Sequence, residues 1–93
     1  MQPLPTELEP YLQLSVDMGV SGLDIMHGHL KTLMLEAEEN LLEAQKIESE
    51  TGEAISSMER TYAEGYLDAL TNLYVLTYNL SFALSEREQN GTN

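Results

Sequence analysis

The chain has 93 residues and a formal net charge of −12, with sixteen acids against Lys31, Lys46, Arg60 and Arg87, and it lacks cysteine. Disulfides and thiolate metal sites are thereby excluded. So is ordinary nucleic-acid binding, which needs cations to neutralise phosphates, and an anionic membrane surface is a poor target. The length corresponds to one domain, and so short a chain buries only about 60–65% of its unfolded surface. Oligomerisation is then the remaining common stabiliser.

Residues 1–6 read as a loose lead. They carry neither a basic n-region nor an early apolar run, and no window reaches 18 uninterrupted apolar residues, so a cytoplasmic location is expected. Thr6 and Glu9 have the form of a capping box, with Pro10 in the first turn, where its missing N–H is not needed. A short helix over 7–18 puts Leu8, Leu12 and Val16 on one face, with Tyr11 adjacent. Gly19, Ser21 and Gly22 interrupt it.

A second helix is expected over 22–49, with Asp24 near the positive end of its dipole. Leu23, Met26, Leu30, Leu33, Met34, Ala37, Leu41 and Ala44 share one side, and Thr32, Glu36, Glu39, Glu43 and Lys46 the other. Gly28 weakens this helix by about 1 kcal/mol relative to alanine, while Ala37 and Ala44 let a facing helix approach closely. Glu50-Thr51-Gly52 marks a turn. Thr51 is placed to cap a third helix over 53–87, with Glu53 in its first turn. Residues 88–93 read as a disordered tail; Asn90-Gly91-Thr92 matches the glycosylation acceptor pattern, a chance match in a chain read as having no secretory signal.

The stretch 62–84 dominates the third helix. It holds four of the five tyrosines and the one phenylalanine. Projected at 100° per residue, Tyr62, Tyr66, Ala69, Leu70, Leu73, Leu76, Leu80 and Leu84 centre the apolar face. Ala63, Leu67, Tyr74, Val75, Tyr78 and Phe82 form a second apolar shoulder. One neighbouring helix cannot cover so wide an arc, so the helix is central or shared with a second molecule. Residues 12–20 and 74–84 also alternate with the period of strands. Helix is preferred because a lone strand pair is marginal, because 62–69 is helical in composition, and because the helical period also accounts for the leucines before Tyr74.

The expected fold is all-α: a helical hairpin of two long antiparallel helices plus a short N-terminal helix, assembled as a dimeric bundle or coiled coil. An unbroken helix through Gly52 is the alternative.

His27 shares a helix face with Asp24, and His29 lies about 200° away. A functional metal site needs three or four ligands, so no metal is expected. The many carboxylate pairs come without a pocket to shift their pKa values. Phosphate loop, nucleophile elbow and zinc signature are all missing. The chain therefore reads as non-enzymatic, without cofactor. Tyrosine is enriched in interface cores, so Tyr62, Tyr66, Leu67, Leu70, Tyr74, Tyr78 and Phe82 form the candidate self-association interface. A plain core edge with hydroxyls reaching water is the competing reading. Glu36, Glu39, Glu43, Glu59, Glu64 and Asp68 form a candidate acidic surface for a basic partner. Their helical spacing is close to that of phosphates along one DNA strand, which is the basis for an alternative role as a DNA mimic inhibiting a nucleic-acid-binding protein. A solvated acidic surface is the bland alternative. In size, charge and helical pattern the chain is similar to the small, acidic, cysteine-free accessory proteins carried by phages and mobile elements. That resemblance shares no motif and assigns no functional residue. The expected function is to self-associate and to bind or inhibit another protein.

Overall fold

One glycine sets the topology. Apolar residues recur with helical period on both sides of Gly52, so a break there is what separates a hairpin from a single long helix. Gly52 takes φ +64°, a left-handed conformation that costs a residue with a β-carbon about 1–2 kcal/mol. Its amide donates to the Glu48 carbonyl at 2.9 Å, satisfying an otherwise orphaned acceptor at the helix end. The computed structural model describes residues 7–91, which form three helices: α1 (Pro10–Asp17), α2 (Gly22–Thr51) and α3 (Ala54–Gly91). α2 and α3 pack along their length as a helical hairpin, and α1 packs against the beginning of α2.

The ends differ from expectation in instructive ways. Thr6 of the expected capping box lies outside the described residues. Glu9 is the N-cap of α1 but makes no side-chain cap, and the helix starts on Pro10. Ser21 does cap α2, its hydroxyl accepting from the Asp24 amide at 3.2 Å. Thr51 is the last residue of α2, yet its hydroxyl accepts from the Glu53 amide at 3.3 Å and meets the Ser56 hydroxyl at 2.8 Å, so it still organises the next helix. Glu53 precedes α3 instead of lying in its first turn. α3 continues past Arg87 to Gly91 and takes in part of the stretch read as a disordered tail. Among the described residues no strand forms: 12–17 and 74–84 are both helical.

The seam between α2 and α3 follows a 3-4 spacing on both helices. On α2 it runs through Leu23, His27, Leu30, Met34, Ala37, Leu41, Ala44 and Glu48. On α3 it runs through Ser56, Arg60, Ala63, Leu67, Leu70, Tyr74, Thr77 and Ser81. Every one of these residues is buried or half-buried. Such spacing is the a/d repeat of a coiled coil, and the two stripes run in mirrored order outward from Gly52. Leu30, Ala37 and Leu70 form the buried centre, with Leu33, Met34, Leu67 and Tyr74 packed around it.

Both ends of the seam are polar. Near the turn, Arg60 Nε donates to the two Glu48 carboxylate oxygens at 2.7 and 2.9 Å, and its Nη1 donates to Glu64 at 2.6 Å. These bonds hold the Glu48 carboxyl below the usual carboxylate range and push the Arg60 guanidinium up. At the open end, the Thr77 hydroxyl donates to the Tyr74 carbonyl at 2.9 Å. With its one proton committed, it accepts from His27 Nδ1–H at 2.8 Å. The His27 ring stacks on Tyr74 at 4.3 Å between centroids. Beyond it, the Ser81 hydroxyl donates to Asp24 at 3.3 Å.

The result is a thin, long molecule, 61 × 33 × 25 Å, with a radius of gyration of 18.1 Å, where a compact domain of this length has about 12 Å. Its accessible surface is 7520 Å², against about 5,400 Å² for a compact monomer of this mass.

Candidate functional site

The two flanks of the seam differ in character, although large apolar residues are exposed on both, Leu35, Leu42, Val75, Tyr78 and Phe82 among them. When the seam residues are given positions a and d, the flanks are positions e and g, and in an antiparallel pair like flanks face the same way. The e flank is polar: Asp24, Lys31, Glu38 and Gln45 from α2, with Ser57, Glu64, Thr71, Tyr78 and Ser85 from α3. The g flank is mostly apolar: Met26, Leu33, Asn40 and Ile47 from α2, with Tyr66, Leu73 and Leu80 from α3 between Glu59 and Arg87 at its ends. On α3 the apolar character continues through position c, with Ile55, Tyr62, Ala69, Leu76 and Ala83.

Positions c and g together make a second 3-4 stripe on α3: Tyr62, Tyr66, Ala69, Leu73, Leu76, Leu80. It is the seam stripe displaced by one residue, about 100° around the helix. Yet its side chains are exposed, from 43% at Tyr66 to 77% at Tyr62. α3 thus carries two apolar stripes of helical spacing, and among the described residues α2 covers only one of them.

The width of the apolar arc on α3 was legible in the sequence, but the rotation of the helix was not. Of the residues projected to its centre, Leu70 alone is buried; Tyr62, Tyr66, Leu73, Leu76, Leu80 and Leu84 are exposed. The packing face instead comes from the shoulder, through Ala63, Leu67 and Tyr74. In this rotation Arg60 reaches Glu48 and Thr77 reaches His27.

The candidate interface residues accordingly fall in three places. Leu67, Leu70 and Tyr74 belong to the hairpin seam. Tyr62 and Tyr66 lie on the exposed stripe. Tyr78 and Phe82 are exposed as well, but at positions e and b, away from that stripe. Leu73, Leu76 and Leu80 are the additions that the structure makes. Their signal in the sequence was a second heptad phase, visible once the first is assigned.

The acidic candidates divide too. Glu36, Glu39 and Glu43 are exposed together on the outward side of α2. Glu64 is engaged by Arg60. Glu59 stands at one end of the apolar stripe of α3, and Asp68 at position b on another face. No single surface holds all six.

The two histidines are used separately, as their angular offset requires. His27 faces α3, and His29 faces α1, where its Nδ1 meets the Tyr11 hydroxyl. Burial, together with the charges of Glu9 and Glu36, raises the Tyr11 pKa. Among the described residues no cluster of three His, Cys, Asp or Glu is placed to hold a metal ion, and no helix is long and apolar enough to cross a membrane. Comparison with family models, curated proteins and solved structures finds no match.

Proposed function

We propose that the protein is a non-enzymatic interaction module that works as a self-associated helical bundle, the apolar flank of each hairpin being covered by another copy. The observation that carries this is the uncovered stripe of α3, with the heptad spacing of a helix interface and six adjoining residues that the hairpin does not use. The elongated shape, with about 2,000 Å² more surface than a compact chain of this mass, leaves room for an interface of obligate-homodimer size, about 1,000–2,500 Å² from each copy. Association leaves the outward acidic side of α2, Glu36, Glu39 and Glu43, free to meet a basic partner, and the cytoplasm suits a chain of this composition.

The test is Leu76→Glu. Leu76 is half exposed and lies outside the seam, so the hairpin tolerates the charge. The variant should sediment as a single chain while keeping its helical circular dichroism. A Leu76→Glu protein with the wild-type mass would refute the proposal. A second reading, imitation of a polyanion, is favoured by the same three glutamates on one face of α2. It requires a basic partner whose binding weakens steeply with salt; binding indifferent to salt would refute it.

A further inference from the structure

We infer that the occupant of the α3 stripe is a second copy lying antiparallel, α3 against α3, about a two-fold axis near Leu73. This rests on the self-association proposed above and adds the direction and the helix that lies at the centre.

Charge placement selects the helix. Position c, beside the g flank, is apolar on α3 but acidic along much of α2, at Glu36, Glu43 and Glu50. Pairing α2 with α2 would oppose like charges. Pairing α3 with α3 buries Tyr62, Tyr66, Leu73, Leu76 and Leu80 and keeps the glutamates of α2 at the edge.

Charge placement also selects the direction. The α3 stripe has Glu59 at one end and Arg87 at the other, both at position g and in phase with the leucines between them. Among the described residues neither takes part in an ion pair within its own chain. A parallel pair would set Glu59 on Glu59 and Arg87 on Arg87. An antiparallel pair brings Glu59 of each copy within one helical turn of Arg87 of the other, at both ends of the interface, and opposes the two helix dipoles favourably. Ala69, beside the axis, lets the central backbones approach.

Spin labels test this directly, and the lack of native cysteine makes single-cysteine variants clean. Met58 and Asn72 both lie at position f of α3 and are exposed, so Met58→Cys and Asn72→Cys leave seam and stripe intact. At 1.5 Å per residue, antiparallel copies place the two Met58→Cys labels about 40–50 Å apart and the two Asn72→Cys labels less than about 20 Å apart. A charge exchange gives an independent reading. Glu59→Arg alone should weaken association roughly 2- to 30-fold, the range of two exposed ion pairs, and Glu59→Arg with Arg87→Glu should restore it. A dimer with the same short distance at both sites, or no rescue by the exchange, overturns the antiparallel arrangement and leaves self-association standing. A chain of monomeric mass without dipolar coupling overturns both.

Discussion

Leu73 and Leu42 look alike in the single chain, at 48% and 66% exposed, and the two-neighbour account of α3 requires them to behave differently. Leu42 lies at position b on α2, outside any stripe, so Leu42→Ala should change stability by no more than about 0.5 kcal/mol. Leu73 lies on the second stripe beside the axis. Fully burying a leucine is worth about 1.5–3 kcal/mol. With half of that burial already present, a second copy adds about 0.75–1.5 kcal/mol per chain, or 1.5–3 kcal/mol for the symmetric pair. Leu73→Ala should therefore raise the dimer dissociation constant roughly 10- to 100-fold, and any residual cavity adds to this. The assay is thermal unfolding followed by circular dichroism over a hundredfold range of protein concentration. Wild type should melt at a temperature that rises with concentration, Leu42→Ala should follow it, and Leu73→Ala should melt lower at every concentration. Equal, small effects of the two substitutions, with melting independent of concentration, would mean that no second copy covers Leu73.

Other perturbations read the hairpin and its charges. Gly52→Ala meets open space at its β-carbon, so its cost is that of the left-handed backbone alone, about 1–2 kcal/mol. Small-angle scattering should show a radius of gyration above that of wild type as the straight α2–α3 helix gains population, and unchanged stability and shape would count against the turn assignment. Glu48→Gln tests the polar clasp by pH. Since the folded-state pKa of Glu48 is lowered by Arg60 and then Ser57, its stabilising contribution is complete above the unfolded carboxylate value and disappears as pH falls through the lowered one. The stability gap between wild type and Glu48→Gln should be constant at neutral pH and close on acidification; a gap that widens would contradict the assigned contact. Salt should tighten self-association, because two chains of charge −12 repel each other. A dissociation constant that rises with salt would mean that ion pairs, not the apolar stripe, hold the copies together.

What could be read from the sequence was set by local physics. Helix period, the interruption at Gly19–Gly22 and the turn at Gly52 depend on residues near one another, and the three-helix order followed from them. Most of the seam of α2 was also legible, through Leu23, Leu30, Met34, Ala37, Leu41 and Ala44, whereas its polar members His27 and Glu48 and the exposure of Met26 were not. α3 was different. Its apolar arc contains two heptad phases a residue apart, Ala63-Leu67-Leu70-Tyr74 and Tyr62-Tyr66-Ala69-Leu73, and hydrophobicity alone favours the second. The first is the one packed on α2, where it comes with contacts distant in sequence, Arg60 with Glu48 and Thr77 with His27, which no periodicity analysis of α3 contains. The same cause separated Tyr78 and Phe82 from Tyr62 and Tyr66: tyrosines four apart drift around a helix, so an aromatic series is not a face. The acidic candidates were scattered for a related reason, since their grouping required knowing which way each helix turns within the hairpin.

A hairpin with a bare heptad stripe is, on the proposal above, half of an assembly. Solution mass by light scattering, measured across protein concentration at low and high salt, tests it most directly. The expected mass is twice the 10.4 kDa of one chain, with dissociation only on dilution and less of it at high salt. A mass of one chain at every concentration and salt, with helicity intact, would contradict it.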